Sequence, residues 1–90
     1  MENLKVVIAD DEERICQLIQ ALVNWDGLGI EIAEIAHNGI EAFDVVQKVR
    51  PDILITDIRM PGLSGLELIE KVKAACPEME IIIISGYAHF

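Results

Sequence analysis

The sequence predicts an α/β domain in which helices cover both faces of a parallel sheet. Short apolar runs alternate along the chain with segments whose apolar residues recur at helical spacing. This alternation is typical of parallel strands joined by right-handed crossovers. The runs are apolar at nearly every position, as expected for strands that are buried on both faces. The predicted strands are residues 4–9, 30–36, 53–56 and 81–84.

The first half of the chain is predicted to form a strand, a helix, a loop and a second strand. After strand 4–9, Asp11 is placed to cap a helix. The inward face of that helix recurs at i, i+3, i+4, i+7 and i+8, with Ile15, Leu18, Ile19, Leu22 and Val23. Residues 24–29 form a loop that carries the only tryptophan. Glu31 and Glu34 interrupt strand 30–36, which indicates a place near the sheet edge.

The second half repeats the alternation with clear boundary signals. Asn38-Gly39 turns the chain into a second helix, which Pro51 ends. Strand 53–56 leads into a loop at residues 61–65, where Ser64 is a candidate N-cap for the third helix. Pro77 ends that helix, and the last predicted strand follows.

The last strand, residues 81–84, consists of four isoleucines. Such a strand would be an aggregation template if it were left as a sheet edge. We therefore interpret it as a central strand. The expectation is one domain over residues 1–90 that is either a fragment or is completed by another chain.

Composition narrows the classes of function. The 90 residues are 52% hydrophobic but only 4% aromatic, which predicts a small domain with an aliphatic core. A net charge of -9 argues against a nucleic-acid surface and favours cationic partners, metal ions among them. Cys16 and Cys76 lack metal-type spacing and fit a reducing compartment. With no signal-type start and no span-length apolar run, the chain is predicted to be cytoplasmic, without a membrane partner.

The candidate site consists of three aspartates at strand ends. Asp10 and Asp11 follow the first strand, and Asp57 follows the third. Ligands of open parallel sheets bind outside the carboxyl ends of the strands, where strand order reverses, and the first and third strands are the expected neighbours there. Carboxylates that lie so close together raise one another's pKa or require a cation between them, and Mg²⁺ is the natural choice for that cation. A carboxylate held beside Mg²⁺ can also attack phosphorus.

Three segments in this order resemble the receiver domain of bacterial two-component response regulators. They are Asp10-Asp11-Glu12, the segment 57–65 with sequence DIRMPGLSG, and Ser85-Gly86-Tyr87. The resemblance covers residues 4–90 and implies a flavodoxin-like parallel sheet. In that fold the strand order is 2-1-3-4-5, so this chain would supply order 2-1-3-4, with the fifth strand and last helices absent. The chain would then be roughly the N-terminal three quarters of such a domain.

The resemblance also implies a signalling switch rather than a turnover enzyme. Asp57 would accept a phosphoryl group from a histidine kinase. Mg²⁺ would be the cofactor, held by Asp10, Asp11, Asp57 and the backbone carbonyl of Arg59. No other cofactor is implied.

Further residues have roles by the same resemblance. The Ser85 hydroxyl and the Gly86 amide would contact the phosphoryl group, and movement of Ser85 would relay its presence to an output. Met60 and Pro61 would shape the loop beside the acceptor. Gly65 would let the next helix start close by.

The chain departs from the family pattern in one respect. Receivers carry a lysine at the end of a fifth strand, and no lysine of this sequence can be assigned that role. The final segment, residues 85–90, is similar to receivers fused to arabinose-regulator-type helix-turn-helix domains. Transcription regulation is therefore the expected output, with DNA bound only through a domain outside this chain. A homodimer stays open as a further partner.

Other functions stay open from the residues. A receiver fragment without phosphorylation could act only as an interaction module. A Mg²⁺-dependent aspartyl phosphatase is less consistent with the sequence, since such enzymes place Asp-x-Asp at one strand end and Asp10-Asp11 are adjacent. A flavin or nucleotide binder needs a Ser/Thr/Gly-rich phosphate loop after the first strand, where this chain has acidic residues.

Overall fold

A computed structural model of the chain describes residues 3–84. Strands and α-helices alternate through this range, with one short 3₁₀ helix before the second strand. None of the helices in residues 3–84 is long and apolar enough to cross a membrane. The elements are β1 (Leu4–Ala9), α1 (Glu13–Leu22), the 3₁₀ helix (Asp26–Leu28), β2 (Ile30–Ala36), α2 (Gly39–Val49), β3 (Ile53–Asp57), α3 (Gly65–Ala75) and β4 (Glu80–Ile84).

The four strands form one parallel sheet in the order β2-β1-β3-β4. This order confirms the predicted 2-1-3-4 arrangement and the edge position of β2. β1 lies between β2 and β3, so that Val6 is paired with both Ile32 and Ile53. The register against β2 shifts between Val6 and Val7, where β2 contains one extra residue, Ala33. The pairing of β1 with β3 is what places their carboxyl ends side by side.

Each face of the sheet has its own layer of core. On one face, Val7 and Leu54 pack with the inward residues of α2 and α3. On the other face, Val6 and Ile55 pack with Cys16 of α1. Successive residues of a strand point to opposite faces, so this division follows directly from the apolar runs. The prediction of strands buried on both faces is confirmed for β1 and β3.

β4 occupies the outer position of the sheet within residues 3–84. It pairs there with β3 alone, and Ile82 and Ile83 are 51% and 48% exposed. The sequence predicted a central position for this strand. Within the described residues, the strand lies at the edge of the sheet instead. These residues contain no further strand that could pair with it.

Of the two predicted caps, Ser64 is confirmed and Asp11 is not, and Asn38 provides a further cap. The side chain of Asn38 accepts a hydrogen bond from the Glu41 amide at the start of α2. Ser64 caps α3 as predicted. The prediction that Asp11 caps α1 is wrong, because the backbone stays extended through Glu12 and no side chain caps this helix. The Asp10 carboxylate instead accepts a hydrogen bond from the Glu12 amide, and the helix begins at Glu13.

Ser64 and Glu67 bond reciprocally, and this capping box predicts a measurable loss on substitution. Ser64 Oγ accepts from the Glu67 amide at 3.2 Å, and Glu67 Oε1 accepts from the Ser64 amide at 3.3 Å. Ser64→Ala is expected to lower the free energy of unfolding by about 1 kcal/mol. Denaturant titration measures this loss. Ser64→Thr keeps the hydroxyl and is the control; an alanine variant as stable as the threonine variant would contradict the prediction.

Candidate functional site

The parallel pairing of β1 and β3 brings three carboxylates together at the carboxyl end of the sheet. Ala9 lies opposite Thr56, so Asp10 and Asp57, the next residues, lie side by side. Asp11 follows directly, and one carboxylate oxygen from each of the three aspartates lies within 4.8 Å of the others. Asp10 is only 3% exposed, Asp57 is partly buried and Asp11 is exposed. The cluster therefore has a buried floor and an open side.

Backbone amides fix the orientation of the two inner carboxylates. The Glu12 amide donates to Asp10 Oδ1 at 2.9 Å, and the Ile58 amide donates to Asp57 Oδ1 at 2.8 Å. The Asp10 amide donates to the Ala36 carbonyl at 3.0 Å, which ties the strand end to β2. A backbone amide thus orients each inner carboxylate, and each carboxylate offers one oxygen to the cluster.

Burial raises the pKa of the Asp10 carboxyl group above its ordinary value. The negative charges of Asp57, Asp11 and Glu12 raise this pKa further, while the hydrogen bond from the Glu12 amide lowers it. The ionised form of Asp10 is therefore held at a cost in free energy. A cation beside it would remove much of that cost.

The donor set of the cluster fits a hard divalent cation. Carboxylate oxygens are the ligands that Mg²⁺ and Ca²⁺ prefer, and Mg²⁺ is commonly bound by one or two carboxylates while it keeps several waters. The three aspartates supply these oxygens, and the open side at Asp11 leaves room for water or a phosphate. The structure therefore confirms the prediction that the carboxylates of Asp10, Asp11 and Asp57 lie close together.

The loop after β3 lies beside the cluster. Arg59 and Pro61 are exposed, whereas the Met60 side chain is buried in the core between the sheet and helices α2 and α3. An open groove next to the cluster is lined by Asp11, Arg59, Met60, Pro61 and Ser64. Anchoring by Met60 fixes the loop from inside and leaves Arg59 at the rim.

Gly65 begins α3 close to the end of β3. Its amide donates to the Ile58 carbonyl at 2.8 Å. A Cβ atom at this position would lie 2.8 Å from Ile58 Cα and closer still to the Asp57 carbonyl oxygen. Only glycine lets the helix start this near to Asp57. Two other predicted site residues, Ser85 and Gly86, lie outside the described residues.

Two buried side chains form hydrogen bonds with the backbone of the cluster, although the sequence analysis did not identify them as site residues. Cys16 Sγ donates to the Asp10 carbonyl at 3.7 Å, and burial raises the pKa of this thiol. Thr56 Oγ1 donates to the Asp57 carbonyl at 3.0 Å. Each side chain donates to the backbone carbonyl of a site aspartate, so both residues support the positions of the acidic side chains.

Comparison with known proteins identifies the family of this chain. The family model described as "Response regulator receiver domain" matches residues 6–89. A transcriptional regulatory protein of Bacillus subtilis, YesN, is 41% identical over 86 residues, which are 96% of this chain and 23% of the relative. Sporulation initiation phosphotransferase F of the same species is 33% identical, over 97% of this chain and 68% of its own length.

Solved structures give the same result. The REC domain of AraT, a response regulator from Geobacillus stearothermophilus, superposes with a TM-score of 0.91 at 34% identity, covering 97% of this chain and 67% of that one. A two-component transcriptional regulator AraC from Clostridium phytofermentans gives 0.80 at 32% identity, covering 96% and 69%.

The chain spans 23% and 34% of the length of two curated relatives that it matches, YesN and a response regulatory protein of Staphylococcus epidermidis. The matched region is in each case nearly the whole of this chain. Fold, acidic cluster and family model therefore coincide on the same residues. The chain belongs to the family of response regulator receiver domains, the signalling switches of two-component systems.

Proposed function

We propose that the chain is a phosphoacceptor switch in which Asp57 accepts a phosphoryl group from a histidine kinase. The observation that carries the proposal is the cluster itself, with carboxylate oxygens of Asp10, Asp11 and Asp57 within 4.8 Å at the end of two neighbouring parallel strands. Asp57 is partly buried, and the exposed side of the cluster at Asp11 gives a phosphodonor access. The output is transcription regulation in the cytoplasm through a DNA-binding domain outside this chain.

In the proposed reaction, a carboxylate oxygen of Asp57 attacks phosphorus in line with the leaving group. The new P–O bond forms an acyl phosphate, while the P–N bond to the kinase histidine breaks. The Ile58 amide holds the other oxygen of Asp57 and so orients the attacking one. Such transfers depend mainly on positioning and electrostatics, since the protein does little covalent chemistry of its own.

The proposed Mg²⁺ ligands are Asp10, Asp11, Asp57 and the backbone carbonyl of Arg59. When bound, Mg²⁺ supplies positive charge that offsets repulsion between the carboxylates and the incoming phosphate. The Glu12 amide keeps Asp10 aimed into the cluster. Met60 and Pro61 shape the neighbouring loop, and the Ser85 hydroxyl and Gly86 amide are the proposed donors to the transferred group.

The experiment that tests this function is intact mass spectrometry of the chain after incubation with acetyl phosphate. A gain of one phosphoryl group is expected with Mg²⁺ and none in excess EDTA. No gain from a chain that circular dichroism shows to be folded would contradict phosphoacceptance and favour an interaction module. Release of phosphate over many turnovers without a lasting mass gain would instead indicate a phosphatase.

A further inference from the structure

The first residue of α2 lies unusually close to the loop that follows β3. Gly39 is buried, and a Cβ atom there would lie 2.6 Å from Leu63 Cβ and 2.7 Å from the Leu63 carbonyl carbon. It would lie closer still to the Leu63 carbonyl oxygen. Two of these three neighbours are backbone atoms, so a side chain at position 39 requires the loop or the helix to move.

The helix end of this contact is held in place. The Asn38 side chain accepts from the Glu41 amide at 2.8 Å, and the Asn38 carbonyl accepts from the Ala42 amide at 2.9 Å. Ala42 itself is fully buried in the core. Because α2 is fixed by its cap and by its packing, a displacement is expected to fall on the loop.

The loop cannot absorb that displacement at its far end. Gly65 is in close contact with Asp57 and Ile58, and its amide bonds to the Ile58 carbonyl at 2.8 Å. The Leu63 amide bonds to the Pro61 carbonyl at 3.0 Å, which couples Leu63 to the part of the loop nearest the cluster. Movement of Leu63 is therefore directed along the loop towards the acidic site.

We propose that Gly39 is a positioning residue for the cation site. By allowing α2 to lie against Leu63, it holds the loop that joins Asp57 to α3 in the position that a bound cation needs. The inference rests on the proposed function, because it assumes that Asp57 and the loop contribute to Mg²⁺ binding. It adds the β2–α2 junction to a site otherwise built from β1 and β3.

The test compares Gly39→Ala with a matched glycine variant, Gly29→Ala. Gly29 has a φ of 71°, and within the described part of the chain nothing lies within 4 Å of a Cβ placed there. Gly29→Ala should therefore lower stability through its backbone alone, without contacting the loop after β3. Mg²⁺ dissociation constants are measured by titration at a temperature where wild type and both variants are folded.

The expected result is a Mg²⁺ dissociation constant about tenfold higher for Gly39→Ala, the lower end of the usual effect of disturbing groups that support metal ligands. Gly29→Ala should bind as wild type does. Equal dissociation constants for wild type and Gly39→Ala would overturn the inference. Absence of Mg²⁺ binding by wild type would instead count against the proposed cation site itself, so the two failures are distinguishable.

A measurement on wild type decides the matter if Gly39→Ala does not fold. Amide resonances are followed by NMR during a Mg²⁺ titration. The Gly39 and Leu63 amides are expected to shift with the same dissociation constant as the Asp57 amide. If the Asp57 amide shifts while the Gly39 and Leu63 amides stay unchanged, the loop and α2 are not coupled to the site and the inference is wrong.

Discussion

Asp57→Asn is expected to take up no phosphoryl group under conditions that label wild type completely. A neutral amide lacks the nucleophilic carboxylate oxygen that the proposed transfer requires. The substitution is nearly isosteric, and the amide oxygen can still accept the hydrogen bond that the Ile58 amide gives to Asp57 Oδ1. The loss should therefore be chemical, with the fold retained. Intact mass over a time course with acetyl phosphate and Mg²⁺ measures it.

Asp44→Asn is the matched control for this loss. Asp44 is an exposed carboxylate on α2, so its substitution removes the same charge and adds the same amide away from the cluster. The control should be labelled at the wild-type rate. A persistent phosphoryl gain in Asp57→Asn would place the acceptor on another residue, which peptide mapping of the labelled chain would identify.

The convergence of Asp10 and Asp57 could be predicted because it depends on few facts. Apolar runs fix the strands, and alternation with helices makes the strands parallel. Parallel neighbours then bring their carboxyl ends to one edge. The cap at Ser64 was predictable for a similar reason, since both partners of the box lie within three residues of each other.

Contacts between distant segments could not be predicted in this way. Asn38-Gly39 reads as a turn and a helix start, and nothing in those residues shows that Leu63 packs against the glycine. The prediction that Asp11 caps α1 failed for another reason. Three consecutive acidic residues, Asp10, Asp11 and Glu12, could each begin a helix, and the choice depends on the bond from the Glu12 amide to Asp10.

Asp10→Asn is expected to make the metal-free chain more stable at neutral pH. Burial, followed by the charges of Asp57, Asp11 and Glu12, raises the pKa of Asp10 in the folded state. A carboxyl group with a raised folded-state pKa binds its proton more tightly when folded than when unfolded. Its ionisation therefore destabilises the folded state. Asparagine removes this cost and can still accept the bond from Glu12.

The pH dependence of this gain has a definite sign. Above the raised pKa of Asp10 the wild-type carboxylate is ionised and the full gain is expected. As the pH falls through that value and towards the ordinary pKa of an aspartate, wild type becomes protonated and the gain disappears. Thermal melts of the two proteins in EDTA across this range measure it. A gain that grew on acidification would contradict the assignment.

Mg²⁺ is expected to reverse the order of the two stabilities. A ligand that binds only the folded state stabilises it by about 2.7 kcal/mol at 100 times its dissociation constant. Each kcal/mol shifts the melting temperature of a domain this small by roughly 4–8 °C. Wild type and the control Asp44→Asn should show this rise, whereas Asp10→Asn should show little, since it lacks the buried ligand. A full Mg²⁺ response in Asp10→Asn would exclude Asp10 from the ligand set. If Asp10→Asn is the more stable protein without Mg²⁺ and wild type is the more stable protein with it, the same carboxylate both destabilises the metal-free fold and binds the cation.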